Sequence, residues 1–293
     1  MKTNHQQFCT VLFAVTVLSL LVSTFAYADT IYVSCWDSNN TIRKFDSSGN
    51  GVIFASGLDR PSFLAFDSSV NLYVSNHYDG RVYKFDSSGN KSLFASGLNG
   101  PDGLVFDRSG NLYVANNWGN TIDKFDSIGN RTLFALCSGA PDGLAFDSGG
   151  NLYAAAYNSG KIEKFDLSGN WLKTFASGLV QPTGTAFDSS GNLYVANQGS
   201  GTISKFDSNG NSSIFASGLN RPADIAFDSS GYLYVVNVND RTIVKFDSSG
   251  NRSIFASGVD APCGIVVIPE PATLLLLGFG TVMLKRRSKN ARQ

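Results

Sequence analysis

Histidine, methionine and glutamate are scarce in this chain, and their scarcity narrows its chemistry. Of 293 residues, two are His and two are Met. Between residues 29 and 268 there is one His, His77, and one Glu, Glu163. Catalytic sites built on His–Glu pairs or on clustered His ligands have almost nothing to draw on. No nucleophile elbow, phosphate loop or closely spaced Cys/His set occurs either. Charge is thin as well, at 16% of residues. Residues 29–268 carry 17 Lys and Arg against 22 Asp and Glu, a net of −5, which leaves no basic footprint for nucleic acid. The apolar runs at 11–22 and 273–284 are about 12 residues each, short of the ~20 that span a bilayer. No stretch between 29 and 268 spaces its apolar residues as a helix does.

What the chain has is repetition. A Lys-Phe-Asp element recurs at Phe45, Phe85, Phe125, Phe165, Phe206 and Phe246, a period of 40 residues with one step of 41. A Leu-Tyr-Val element, or a near copy, keeps the same period at Tyr32, Tyr73, Tyr113, Tyr153, Tyr194 and Tyr234. Each unit divides into four short runs rich in Val, Ile, Leu, Phe and Tyr, bounded by Gly, Asn, Asp and Ser. In one unit these are 103–107, 111–115, 121–125 and 132–135. Asp-Ser-Ser-Gly-Asn, or a near copy, joins the first run to the second and the third to the fourth, as at 46–50, 86–90, 188–192 and 247–251. The Asp can accept from a backbone N–H two residues on while the Gly takes the left-handed position. Ser stands where an EF-hand calcium loop needs ligands, so these read as turn caps.

Four-stranded units of about 40 residues, repeated in series, specify an all-β fold, a β-propeller. The coils of a β-helix are shorter and lack paired hairpin turns. The first unit lacks its first strand and the last unit has only that strand, 264–268. The C-terminal strand is therefore expected to complete the N-terminal blade and close a six-bladed ring over residues 29–268, removing the open seam.

Of the four cysteines, Cys9 falls in the N-terminal segment 1–28, and Cys35, Cys137 and Cys263 fall in the ring. Cys35 takes the place of Asn116 of another unit and Cys263 the place of Asp102, positions symmetric about the hairpin turn centred at residue 109. A Cys35–Cys263 disulfide is expected where the termini meet, with Cys137 a lone buried thiol. The oxidising compartment is implied by residues 1–28. Lys2 and His5 precede an apolar run, and Ala26-Tyr27-Ala28 ends it as a small-x-small cleavage site, leaving Asp29 as the mature start.

The C-terminal composition changes abruptly. Pro269-Glu270-Pro271 leads into a short apolar segment and then Lys285-Arg286-Arg287. Triplet, apolar stretch and basic cluster resemble, in order, the PEP-CTERM sorting signal of bacterial exported proteins. The resemblance implies recognition by an exosortase-type enzyme, transient anchoring in the inner membrane, and release from the periplasm to the outer surface or matrix of a Gram-negative-type bacterium. Residues 269–293 are set apart as this tail. The repeats, through Pro-x-Gly-Leu-Ala-Phe-Asp, Gly-Asn-Leu-Tyr-Val-Ala-Asn and Ile-x-Lys-Phe-Asp, resemble NHL-type propellers and more loosely the streptogramin-lyase-like and gluconolactonase-like families. That resemblance implies a six-bladed fold. The Glu metal ligand of the lactonase-like families and the His–Glu arrangement of the lyases find no counterpart at equivalent positions.

A propeller's usual site is the mouth of its central channel, bordered by the loops before strand one and after strand two. Asp102, Asp142 and Asp224, with Asn76, Asn116, Asn197 and Asn237, fall there. Their oxygens suit a Ca2+-like ion, or simply hydrogen-bond strand ends around a solvated channel. The loops after strand two differ from blade to blade: Trp36, His77, Tyr78, Asn117, Trp118, Tyr157, Asn158, Gln198, Asn239 and Asp240. Aromatic faces beside amides and acids suit sugar or peptide recognition. Loop drift among duplicated units reads equally well. Glu163, between Lys161 and Lys164, reads as a surface ion pair, and His77 as a solvated residue or a ligand contact. The expected function is an exported, non-enzymatic binding scaffold for an extracellular polysaccharide or surface protein. The alternative is a metal-dependent lactonase or lyase at the channel mouth.

Overall fold

The computed structural model describes residues 29–36 and 39–269, and the leader expected at 1–28 and most of the tail at 269–293 lie outside them. The strands are β1 (Asp29–Cys35), β2 (Thr41–Phe45), β3 (Gly51–Ala55), β4 (Pro61–Phe66), β5 (Leu72–Asn76), β6 (Arg81–Phe85), β7 (Lys91–Ala95) and β8 (Pro101–Phe106). They continue as β9 (Leu112–Asn116), β10 (Thr121–Phe125), β11 (Arg131–Leu136), β12 (Pro141–Phe146), β13 (Leu152–Ala156), β14 (Lys161–Phe165), β15 (Trp171–Ala176) and β16 (Pro182–Phe187). The last are β17 (Leu193–Asn197), β18 (Thr202–Phe206), β19 (Ser212–Ala216), β20 (Pro222–Phe227), β21 (Leu233–Asn237), β22 (Thr242–Phe246), β23 (Arg252–Ser257) and β24 (Pro262–Pro269). They form six four-stranded sheets, and the first is ordered β24-β1-β2-β3. The C-terminal strand thus completes the N-terminal blade, as the strand count implies.

The recurring tripeptides are the locks between blades. Tyr73 meets Phe94 of its own blade and Phe106 of the next edge-to-face, with ring centroids 5.0 and 4.9 Å apart. Tyr113, Tyr153 and Tyr194 repeat the arrangement with Phe134 and Phe146, Phe175 and Phe187, and Phe215 and Phe227. Such pairs add about 0.5–1.5 kcal/mol each beyond their area burial. The Lys of Lys-Phe-Asp lies over the same Tyr, as Lys164 does over Tyr153 at 4.8 Å, while its Phe is buried. Neither tripeptide can drift alone, because each supplies the partner of the other.

The Asp turns gather at one end of the ring. In the turn at 46–50, Asp46 Oδ1 accepts from the N–H groups of Ser48 and Asn50, and Oδ2 accepts from the Asn50 amide. The carboxylate is consumed by its own turn, which supports the cap and leaves nothing for a calcium ion. The 41-residue step is absorbed in β15, whose pairing with β14 carries a second register shift between Lys164 and Phe165.

One turn breaks the rule. Val70 stands where the equivalent turns have Gly110, Gly150, Gly191 and Gly231, and it holds a φ of 63°. A left-handed conformation costs an ordinary L-residue about 1–2 kcal/mol, and β-branching adds to the strain. Val70→Gly is expected to raise Tm by roughly 2–6 °C, taking ~2–4 °C per kcal/mol for a domain of this size. An unchanged or lowered Tm in a thermal melt would contradict that assignment of strain.

Ring closure departs from expectation in its chemistry. Cys35 and Cys263 are not bridged to one another. In β8 and β9, Pro101 pairs with Asn116 and Leu104 with Val114, so Asp102 and Gly103 together face one residue. This bulge breaks the symmetry about the turn on which the pairing rested. The bonds Trp36 N–H to Ala261 O and Gly264 N–H to Ser34 Oγ put the seam in the same register, with Cys35 across from Pro262. Cys35 turns into the core between blades with Val33 and Val236, whereas Cys263 lies beside Ser62 with Sγ 3.7 Å from Oγ. The seam is fastened instead by hydrogen bonds. Ser34 Oγ donates to Ser62 O, Asp224 Oδ2 accepts from Ile265 N–H at 2.9 Å, and the Asp29 carboxylate accepts from Ser229 N–H and Oγ. Cys137 is buried where the other linkers place Leu58, Leu98, Leu179, Leu219 or Val259, and burial with Glu163 nearby pushes its thiol up to about 12.

Candidate functional site

The inner-strand bulge that displaces Cys263 also builds the site. Bulges re-aim side chains, and one recurs near the start of the inner strand in β4, β8, β12, β16 and β20. The residue after each inner-strand Pro is Ser62, Asp102, Asp142, Thr183, Ala223 or Cys263, with Asp224 one further on. The channel is narrow at this level: a Cβ on Gly103 would lie 2.0 Å from the Asp142 carbonyl oxygen of the next blade.

Asp102 is the centre of a hydrogen-bonded chain. Its Oδ1 accepts from Ser62 Oγ at 2.7 Å and meets His77 Nδ1 at 2.9 Å. Asp224 is fully engaged by the backbone, through Ile225 N–H at 2.8 Å and Ile265 N–H at 2.9 Å. Asp142 has no hydrogen-bond or ion-pair partner among the described residues and is partly exposed. Enclosure by protein, and then the charges of Asp102 and Asp224, push the Asp142 carboxyl well above the ordinary range. Burial raises Asp224 to about 7 against the two backbone bonds that pull it down. Burial, then Asp102, likewise raises the Cys263 thiol, which disfavours its thiolate.

Above this network sits an aromatic arc from three successive blades. His77 contacts Trp118 at 4.5 Å and Tyr78 at 5.3 Å between ring centroids, and Tyr78 meets Trp118 at 5.5 Å. Trp36 lies 6.3 Å from His77 and donates through Nε1 to Pro61 O at 2.8 Å. The Arg60 guanidinium covers Tyr78 at 4.1 Å and Trp36 at 5.5 Å, and bonds the Tyr78 hydroxyl. Trp118 and Tyr78 nonetheless stay 52% and 49% exposed. On the opposite arc Tyr157 donates to Gln198 Oε1 at 3.2 Å. The residue before each inner-strand Pro is left-handed, from Ala261 at a φ of 41° to Arg221 at 64°. Its carbonyl holds the N–H of the residue after strand two, as Arg60 O holds His77 N–H at 3.2 Å. The rim is thereby fixed to the inner strands.

Several sequence expectations change here. His77 is buried, held by Asp102 of the neighbouring blade, and is not a solvated loop residue. Glu163 is 4% exposed and accepts from Ser138 N–H at 3.0 Å, so it is no surface ion pair. Asn76, Asn116, Asn197 and Asn237 turn away from the channel into their own hairpins, where their amides donate to Asp79, Thr121 and Asp123, Thr202 and Ser204, and Asp240. Asn117 joins the rim through its backbone, donating to Gly100 O at 2.8 Å, and Asn158 packs beside Gly139. Arg60, Ser62 and Cys263 belong to the site and escaped sequence reasoning. The only signal for Arg60 was that the pre-proline residue differs from blade to blade.

A metal was the cofactor those carboxylates suggested. Among the described residues no three His, Cys, Asp or Glu side chains converge as ligands would, and the Asp102 and Asp224 oxygens are already bonded. The donor set does not fit a resident ion. Two surface clefts of about 400 and 430 Å3 lie elsewhere, one beside β18 and β19 and one between the turns that follow β16 and β20.

Residues 74–187 match the family model of the SMP-30/gluconolactonase/LRE-like region, and residues 267–289 match the PEP-CTERM protein-sorting motif. A comparison with curated proteins gives no match. Among solved structures, the nidogen/laminin complex aligns with a TM-score of 0.74 at 18% identity, over 82% of this chain and 98% of that one. Virginiamycin B lyase from Staphylococcus aureus aligns at 0.64 and 15%, over 82% and 92%. A catalytically inactive form of that lyase with quinupristin aligns at 0.64 and 14%, over 84% and 94%. At such identities these likenesses speak for the fold alone. The chain is a six-bladed β-propeller whose second to fifth blades include a stretch similar to the SMP-30/gluconolactonase/LRE-like region, followed by a match to the PEP-CTERM protein-sorting motif.

Proposed function

We propose that this protein is an exported interaction module that holds a matrix polysaccharide or a surface protein on its aromatic rim. The sorting motif marks the chain for export, membrane-anchored sorting and processing by an exosortase-type enzyme. The observation that carries the binding reading is the pair Trp118 and Tyr78, half exposed yet held by His77 and Arg60 from neighbouring positions. Exposed, pre-positioned Trp, Tyr and Arg are the residue types that dominate binding energy, because they bury large area with few torsions to freeze. The test is indole fluorescence of the purified protein titrated with neutral and acidic oligosaccharides and with surface proteins of the producing bacterium. Trp118→Ala is expected to weaken the responding partner by tenfold or more, since loss of a central aromatic anchor costs about 2 kcal/mol. A full response in that variant would remove the rim from the function.

One observation favours the alternative, a lyase or lactonase at the mouth. Asp102 fixes His77 Nδ1, which leaves Nε2 to exchange a proton. That reading requires turnover of a lactone or cyclic ester that His77→Ala abolishes while partner binding persists.

A further inference from the structure

The rim is aromatic, but what lies beneath it is acidic. Asp102, Asp142 and Asp224 come from β8, β12 and β20 and bear on one another across the axis. Among the described residues, His77 is the one nitrogen base within ion-pair distance of any of them. Arg60 is occupied by Tyr78 and Trp36, and Arg221 bears on Tyr157. Tyr157 and Cys263 complete the ionisable groups around Asp142. The mouth therefore offers apolar ring faces outside and an unpartnered carboxyl inside, with no cation of its own to meet it.

Resting on the rim-binding reading above, we infer that the occupant of the mouth is a lysine side chain of a partner protein, its stem against Trp118 and Tyr78 and its ammonium on Asp142. Charge complementarity selects this occupant. A lysine carries an apolar stem of four carbons and a compact cation, and the stem suits the rings while the cation suits the acid. An arginine would bring a planar fork that needs a bidentate carboxylate, and the Asp102 and Asp224 oxygens are already engaged. A neutral sugar would satisfy the rings and leave Asp142 unmet. The side-chain amine stays protonated through neutral pH, so it can meet the unpartnered Asp142 carboxyl in a close ion pair.

The experiment uses Nα-acetyl-lysine methylamide, its Nε-acetylated counterpart and a neutral glucose oligomer, each titrated into the full exported protein while the Trp36 and Trp118 indole N–H resonances are followed. The lysine probe should give a saturable shift, weak in absolute terms but at least tenfold tighter than the Nε-acetylated probe. Asp142→Asn, which keeps shape and removes the charge, should abolish the difference between the two lysine probes. Equal affinity for both, or an unchanged preference in Asp142→Asn, overturns the inference and leaves the rim reading intact. A response to the glucose oligomer alone makes the occupant a sugar and overturns it likewise. Silence from all three, with saccharides and surface proteins also failing in the fluorescence titration, sinks the rim reading itself.

Discussion

Stability of the propeller is expected to rise as the pH falls from 8 to about 5, and Asp→Asn changes on the axis should flatten that rise. The Asp224 carboxyl is lifted from 3.8 to about 7 by burial, and burial, then the charges of Asp102 and Asp224, lifts Asp142 well above the ordinary range. A carboxyl whose folded value is raised destabilises the native state at high pH, because the folded protein must hold a charge that the unfolded chain carries freely. Protonation between pH 7 and pH 4 relieves this, so the folded state gains over that window. For Asp224 the displacement to about 7 corresponds to at most about 4 kcal/mol. Asp142→Asn loses no hydrogen bond and should raise Tm at pH 8 by roughly 5 °C or more, with the gain gone by pH 4. Asp224→Asn surrenders one of two backbone bonds, so its gain at pH 8 should be smaller by about 1 kcal/mol. Below pH 4 the sign reverses. The Asn side-chain amides and backbone N–H groups hold the turn carboxyls of Asp46, Asp86, Asp166, Asp207 and Asp247 below the ordinary range. That support is present above pH 4 and lost as the turns protonate. Thermal melts of the three proteins across pH 3–8 check this, and a wild-type Tm that falls steadily from pH 8 to pH 5 would overturn the assignment of the axial acids.

Those acids also mark where reading the sequence stopped. Blade count, turn chemistry and ring closure follow from features that each residue announces locally: Phe and Tyr at fixed period, Asp and Gly at turn spacing, a strand missing at one end and spare at the other. The bulge at Asp102 and Gly103 has no such announcement. It depends on the Asp142 backbone of the next blade pressing against Gly103, and one residue of slip was enough to turn Cys35 and Cys263 onto different faces. His77 is a similar case. Its loop looks solvated until Asp102, 25 residues later and one blade on, reaches it. Glu163, flanked by two lysines, looks like an exposed charge in an alternating strand. It is buried because the neighbouring linker supplies Ser138 N–H and Cys137 above it. Contacts between blades decide these residues, and a repeat that looks uniform conceals which copies meet.

The seam is the place where one methyl group should do the most damage. Gly264 lies in β24, and a Cβ there would sit 2.2 Å from Ser62 O and 2.9 Å from Phe63 Cα. Both are backbone atoms of the next blade, so no side-chain rotation can make room. β24 would have to move outward, taking Gly264 N–H from Ser34 Oγ and Ile265 N–H from Asp224. Every other junction in the ring is covalently continuous with a neighbour, whereas this blade is completed by the two chain ends. Gly264→Ala is therefore expected to cost more than about 4 kcal/mol, in the range reserved for overpacked cores and broken buried networks. Gly258→Ala separates this from ordinary backbone strain. Gly258 has a φ of 67° but nothing within 4 Å of its missing Cβ, so only the left-handed penalty of about 1 kcal/mol applies. Thermal melts with limited proteolysis distinguish the two. Gly264→Ala should melt much lower and be cut first next to β24, while Gly258→Ala shifts by a few degrees and stays resistant. Equal, small shifts would mean that the ring closes without needing this contact, and β24 would then be an accessory to a ring of six sheets held by β1–β23 alone.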